Sequence, residues 1–127
     1  NTFEKILIHT GRTLLGLYFL VPGIFKFLAW DTHVALMDKH NMMFVPVLLA
    51  VAGGMQIIAS LCLFINRYVT WAALTLAALT LLINYNLHDF WNFEGIERAH
   101  ETQNLVKNMG IFAGLLILAG INIKPKN

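Results

Sequence analysis

Four of the five histidines and six of the seven acidic residues lie in two stretches, 31–44 and 88–104. His33, His40, His88 and His100, with Asp31, Asp89, Glu94 and Glu101 near them, are the residue types that ligate a metal. No two of these histidines show the H-x-x-x-H spacing that puts both rings on one helix face. A metal site would therefore have to be assembled from separate stretches, and the sequence favours none. A second set suits different chemistry: Lys26, Asn84, His88, Lys107 and Asn108 can hydrogen-bond a polar headgroup or a substrate carbonyl. The lone cysteine, Cys62, lies inside an apolar run and suits apolar filling. There is no phosphate loop, no G-x-S-x-G, no dinucleotide fingerprint and no C-x-x-C.

The elements that must position these groups follow from composition. Hydrophobic residues make up 57% of the 127 and charged residues 13%, against roughly half and about a quarter in soluble domains. Sixteen charged side chains, gathered in short connectors, cannot cover a water-facing surface. The solvent that fits is a bilayer, crossed by helices of about 20 residues. Four stretches qualify, residues 6–30, 45–65, 69–87 and 105–123. The second and third carry no charge, and Asn66, Arg67 and Tyr68 between them permit only a tight antiparallel hairpin. No cleavable signal peptide is expected, since the first apolar run is too long for one and carries Arg12 and Lys26. The net charge of +2 is too small and scattered for nucleic-acid binding.

Lys5, Arg12, Arg67, Lys124 and Lys126 would share one side of the membrane, against Lys39 and Arg98 in the connectors of the other, with Lys26 and Lys107 just inside the helix ends there. The bias places both termini in the cytoplasm. The expected fold is all-α: one domain over residues 1–127, an integral membrane antiparallel four-helix bundle with polar residues facing inward. Stripes at helical spacing would make the contacts: Gly16, Phe19, Gly23, Lys26 and Trp30; Gly53, Gln56 and Ser60; Ala77, Thr80, Asn84 and His88; Lys107, Gly110 and Gly114. Gly110 and Gly114 form a G-x-x-x-G, through which copies of the chain could associate. Gln56 sits near mid-membrane, where an interhelical hydrogen bond is its simplest role.

Lys26 follows Ile6 by 20 residues, about 30 Å along a straight helix. It reaches the outer boundary, where Asn84, His88, Lys107 and Asn108 would join it at the mouth of the bundle. Two readings stand there: snorkelling lysines with helix-end polar groups, or a pocket for a headgroup. Phe90, Trp91 and Phe93 suit an aromatic belt at the same interface. Residues 96–103 suit a short surface helix leading into the last span.

The run GLYFLVPGIFKF at 16–27, the Gly53-Gly54-Met55-Gln56 segment, and HDFW followed by an acidic connector and QNLVKN at 88–108 together resemble the DoxX family. The likeness covers the whole chain, and the C-terminal stretch is its most specific part. It implies a small, multi-pass four-helix protein of the bacterial cytoplasmic (inner) membrane. The family is named for a subunit of an archaeal thiosulfate:quinone oxidoreductase, and other members are linked to redox or oxidative-stress systems. Carried over residue by residue, Lys26, His88, Asp89, Trp91, Gln103, Lys107 and Asn108 match the recurrent polar pattern. At Gln56 many relatives carry a glutamate, so a proton-handling role for that acid does not transfer.

The resemblance implies a quinone-linked redox protein or subunit. Lys26, His88, Asn84 or Lys107 would donate to quinone carbonyls, Trp91 or Phe90 would stack on the ring, and a larger redox-protein partner would supply electrons. A non-catalytic accessory or assembly subunit, docking a larger protein through its outer loops, is the alternative. A transporter fits least well, for four short helices leave little room for a pathway.

Overall fold

The computed structural model describes residues 1–87 and 94–123, and the side chains of all of these but 84–87. Among them are five α-helices: α1 (Thr2–Leu28), α2 (Trp30–Lys39), α3 (Val45–Ile65), α4 (Val69–Leu87) and α5 (Gly95–Ile121). By length and composition α1, α3 and α5 could each cross a membrane, and Val69–Ile83 of α4 is apolar but shorter.

The bounds of α3 and α4 are those expected from their uncharged runs. Pro46 falls in the first turn of α3, where its missing N–H removes no helical bond. Asn66 ends that helix in the left-handed conformation, at φ 58°, a geometry that asparagine tolerates better than most side chains. The chain then turns directly into α4.

Two elements differ from expectation. The stretch 31–44, read from sequence as a connector, contains all of the ten-residue helix α2 except its first residue, Trp30. α1 stops at Leu28, Ala29 makes the bend, and α2 begins at once. Phe27 and Trp30 stack across this corner, with ring centroids 6.0 Å apart and planes at 20°. Met37 of α2 is buried against Val45 and Leu49 of α3. The expected surface helix at 96–103 and the last span are likewise one continuous element, α5.

α1 lies against α3, α3 against α4, and α4 against α5. Arg12, Gly16, Phe19 and Gly23 form the inward face of α1, opposite Gly53, Gln56, Ser60 and Leu63 of α3. These glycines permit close approach: a Cβ on Gly16 would lie 3.2 Å from the Phe64 ring, and one on Gly23 would lie 3.1 Å from Ile57 Cγ1. α4 buries Ala72, Ala73, Leu76, Ala77 and Thr80, against Leu115, Leu118 and Ala119 of α5. The outer faces carry large apolar side chains, among them Leu28, Ile58, Trp71 and Ile117, all well over half exposed. Such a coat is costly in water and suits contact with lipid tails.

Most hydroxyls on these helices are satisfied by nearby backbone, as hydrocarbon demands. The hydroxyls of Ser60, Thr75, Thr80 and Thr102 donate to carbonyls four residues back. Bonds between helices include Arg12 Nε to the Leu63 carbonyl at 2.9 Å, Gln56 Nε2 to the Phe19 carbonyl at 2.7 Å, Thr70 Oγ1 to the Ala119 carbonyl at 2.9 Å, and the Tyr18 hydroxyl to Asn108 Oδ1 at 3.0 Å. Gln56 thus makes the interhelical bond expected of it. The expected inward stripe on α5 is not observed. Lys107 and Gly110 are exposed and Gly114 is half-exposed, with nothing within 4 Å of a Cβ built on either glycine.

Candidate ligand groove

A groove of about 1200 Å³ runs along the outer side of α3 and α4, with α2 over one end. Its floor comes from two helical stripes, Leu48, Val51, Ala52 and Met55 on α3, and Trp71, Leu74, Thr75, Ala78 and Leu82 on α4. From Trp71 to Leu82 the α4 stripe rises about 17 Å at 1.5 Å per residue. The groove is therefore long, and apolar for most of its length.

Polar groups collect at one end. Lys26 enters from the last turn of α1, Glu101 from α5, and His33 and His40 from α2. His33, Leu36, Met37 and His40 are spaced i, i+3, i+4 and i+7, so they form one face of α2. Burial of Met37 against α3 turns that face into the groove. His33 Nδ1 lies 2.9 Å from the Ala29 carbonyl, and His40 Nδ1 lies 2.9 Å from that of Leu36. Lys26 is half-buried and no described side chain pairs with its ammonium.

Of the residues the sequence analysis singled out, Lys26 lines the groove. Lys107 and Asn108 do not line it, because α5 starts at Gly95 rather than near residue 105 and carries them about 18 Å down the helix. Asn108 accepts instead from the Tyr18 hydroxyl at 3.0 Å, which ties α5 to α1 about 12 Å below Lys26. Gln103 is exposed and outside the groove. Glu101, two residues earlier, lines the groove. His88, Asp89 and Trp91, and the side chain of Asn84, lie outside the described residues, as do Phe90 and Phe93 of the expected aromatic belt.

Among the described residues no group of three or more histidine, cysteine or acidic side chains could hold a metal ion. His33 and His40 share a groove face and His100 is exposed on α5. What the sequence reading missed is that His33 and His40 belong to the mouth. The signal was present: Trp30, Val34 and Met37 recur at i, i+4 and i+7, with Asp31 in the first turn and Lys39 in the last. That pattern marks an amphipathic helix with charges matched to its dipole.

The arrangement can hold an amphiphile, its chain along α3 and α4 and its head among Lys26, His33 and His40. Residues 7–89 match the DoxX family. No curated protein and no solved structure matches the chain.

Proposed function

Because the chain belongs to the DoxX family, we propose that it is a quinone-linked membrane protein that binds a quinone or similar headgroup at Lys26. The observation that carries this reading is the groove itself, apolar for most of its length and ending at a lysine ammonium that pairs with no described side chain. A charged donor in apolar surroundings gains most from an acceptor brought by a ligand. Quinones supply ring carbonyls for Lys26 and a polyprenyl tail for the α3–α4 floor. A volume of about 1200 Å³ exceeds the 300–1,000 Å³ of common ligand sites, in keeping with a ligand whose tail continues into lipid.

The placement that goes with this function is a bacterial inner membrane, crossed four times. α4 has 19 residues to Leu87, about 28 Å at 1.5 Å per residue, close to the thickness of a hydrocarbon core. With α1, α3 and α5 it makes an antiparallel bundle, one domain over residues 1–127, whose termini are cytoplasmic by the positive-inside bias. The groove mouth then faces outward. Electrons reach the quinone through a larger redox-protein partner.

The test is to purify the protein in mild detergent, extract bound lipid, and measure binding of decylubiquinone to the wild type and to Lys26→Met. Loss of one charged hydrogen bond lowers affinity about tenfold. Wild-type protein that neither retains quinone nor binds the added probe would rule the reading out. An accessory or assembly role is favoured by one observation, the one-sided packing of α5, which leaves Gly110 and Gly114 uncovered. Stoichiometric copurification of another protein, without quinone, would support it.

A further inference from the structure

We propose that His33 makes the groove selective for the reduced, dihydroxy form of its ligand, by accepting a hydrogen bond from a ring hydroxyl through Nε2. This rests on the reading of the groove as a quinone site and goes beyond it, since that reading needs only a donor.

The argument begins at Ala29, where α1 ends and α2 turns away. Its carbonyl receives two bonds from His33, the backbone N–H at 3.1 Å and ring Nδ1 at 2.9 Å. A carbonyl only accepts, so Nδ1 carries the proton of this contact. In the neutral ring the proton on Nδ1 leaves a lone pair on Nε2, which is then an acceptor. The double contact fixes the ring to the corner of the chain. Burial of Met37 against Val45 and Leu49, one turn further on, holds the same face of α2 to the groove. Nε2 has no partner among the described residues.

Lys26 lines the same polar end and offers only donors. A mouth containing Lys26 alone would match a headgroup containing only acceptors, as an oxidised quinone does. Adding a fixed acceptor changes the preference. A hydroquinone brings hydroxyl donors and keeps oxygen lone pairs, so one oxygen can receive from Lys26 while the other donates to His33. The oxidised ring would place a carbonyl lone pair against the lone pair of Nε2, which is unfavourable. A site built to pair with a hydroxyl discriminates strongly against an analogue lacking it, because its own polar group is left unsatisfied.

The test uses the full chain in lipid nanodiscs, under anaerobic conditions, titrated with decylubiquinol and separately with decylubiquinone. Wild type should bind the quinol more tightly. His33→Phe should weaken quinol binding about tenfold, the equivalent of one buried hydrogen bond, and leave quinone affinity within about twofold. His33→Gln, whose side-chain oxygen can reach the position of Nε2, should restore most of the quinol affinity. Equal losses for both ligands in His33→Phe, or no loss for either, would overturn the role of His33 while the quinone site stands. Failure of wild type to bind either form would overturn both.

Discussion

The Gln56 amide nitrogen donates to the Phe19 carbonyl at 2.7 Å across the α1–α3 contact, while Gln56 Oε1 is buried without a donor. The bond lies beside Pro22, which has no N–H to give the carbonyl of Tyr18, one residue before Phe19. Gln56 therefore works where the α1 hydrogen-bond ladder is weakest. Polar bonds between membrane helices average about 0.6 kcal/mol, and Gln56→Leu also removes the unpaired oxygen. The variant should lose about 1 kcal/mol or less in a detergent unfolding titration. A loss of about 3 kcal/mol would mean that Oε1 also has a donor, for a bond with both ends satisfied costs more to remove.

Gly53 and Gly54 are neighbours with opposite tolerances. A Cβ on Gly53 would lie 2.7 Å from Phe27 Cε2 and 3.4 Å from Lys26 Cβ, whereas one on Gly54 meets nothing within 4 Å. Gly53→Ala must push the Phe27 ring out of its stack on Trp30, disturbing the corner that orients α2. Overpacking of this kind costs about 1–3 kcal/mol. Gly53→Ala should lower the thermal midpoint and weaken quinone binding together. Gly54→Ala should do neither, and equal behaviour of the pair would refute the close approach.

What the sequence made legible follows physical scale. An uncharged run of membrane length has one sensible outcome, so residues 45–65 and 69–87 were read to the residue. Inward stripes built on glycine were legible where a large neighbour uses the space, as at Gly16, Gly23 and Gly53. The same spacing at Gly110 and Gly114 misled, because spacing defines a face and not what covers it. Short α2 was hidden by its low hydrophobicity, although Trp30, Val34 and Met37 held its period. With α2 unread, His33 and His40 were isolated connector histidines rather than one wall of a groove. Lys107 and Asn108 were misplaced for a related reason: apolarity begins near residue 105, but helical hydrogen bonding begins at Gly95.

Arg12 shows how a charge inside a span can be structural. It is 5% exposed, its Nε donates to the Leu63 carbonyl, and its guanidinium also meets His9 Nδ1. Leu63 lies in the last turn of α3, whose final carbonyls have no helical donor. A cation there also meets the negative end of the helix dipole. Arg12→Met should cost about 1.5–3 kcal/mol, the range for bonds to charged groups, with quinone binding at the far end of α1 unchanged. Arg12→Lys should recover part of the loss. If Arg12→Met unfolds as wild type does, the bond to Leu63 contributes nothing net.

The uncovered face of α5 gives a prediction that separates packing within the chain from packing between chains. A Cβ built on Gly110 or Gly114 meets nothing within 4 Å among the described residues, so an added methyl there causes no internal clash. A helical glycine replaced by alanine gains up to about 1 kcal/mol of intrinsic helix stability, so Gly114→Ala should match or exceed wild type in monomeric detergent samples. Association through this face depends on backbones coming close at a small-residue stripe. Gly110→Ile with Gly114→Ile should therefore abolish any dimer trapped by crosslinking in native membranes while leaving the thermal midpoint of the monomer in place. A dimer that survives both substitutions must use another surface. A monomer that loses stability would mean that α5 packs against α1 more closely than the Tyr18–Asn108 bond implies.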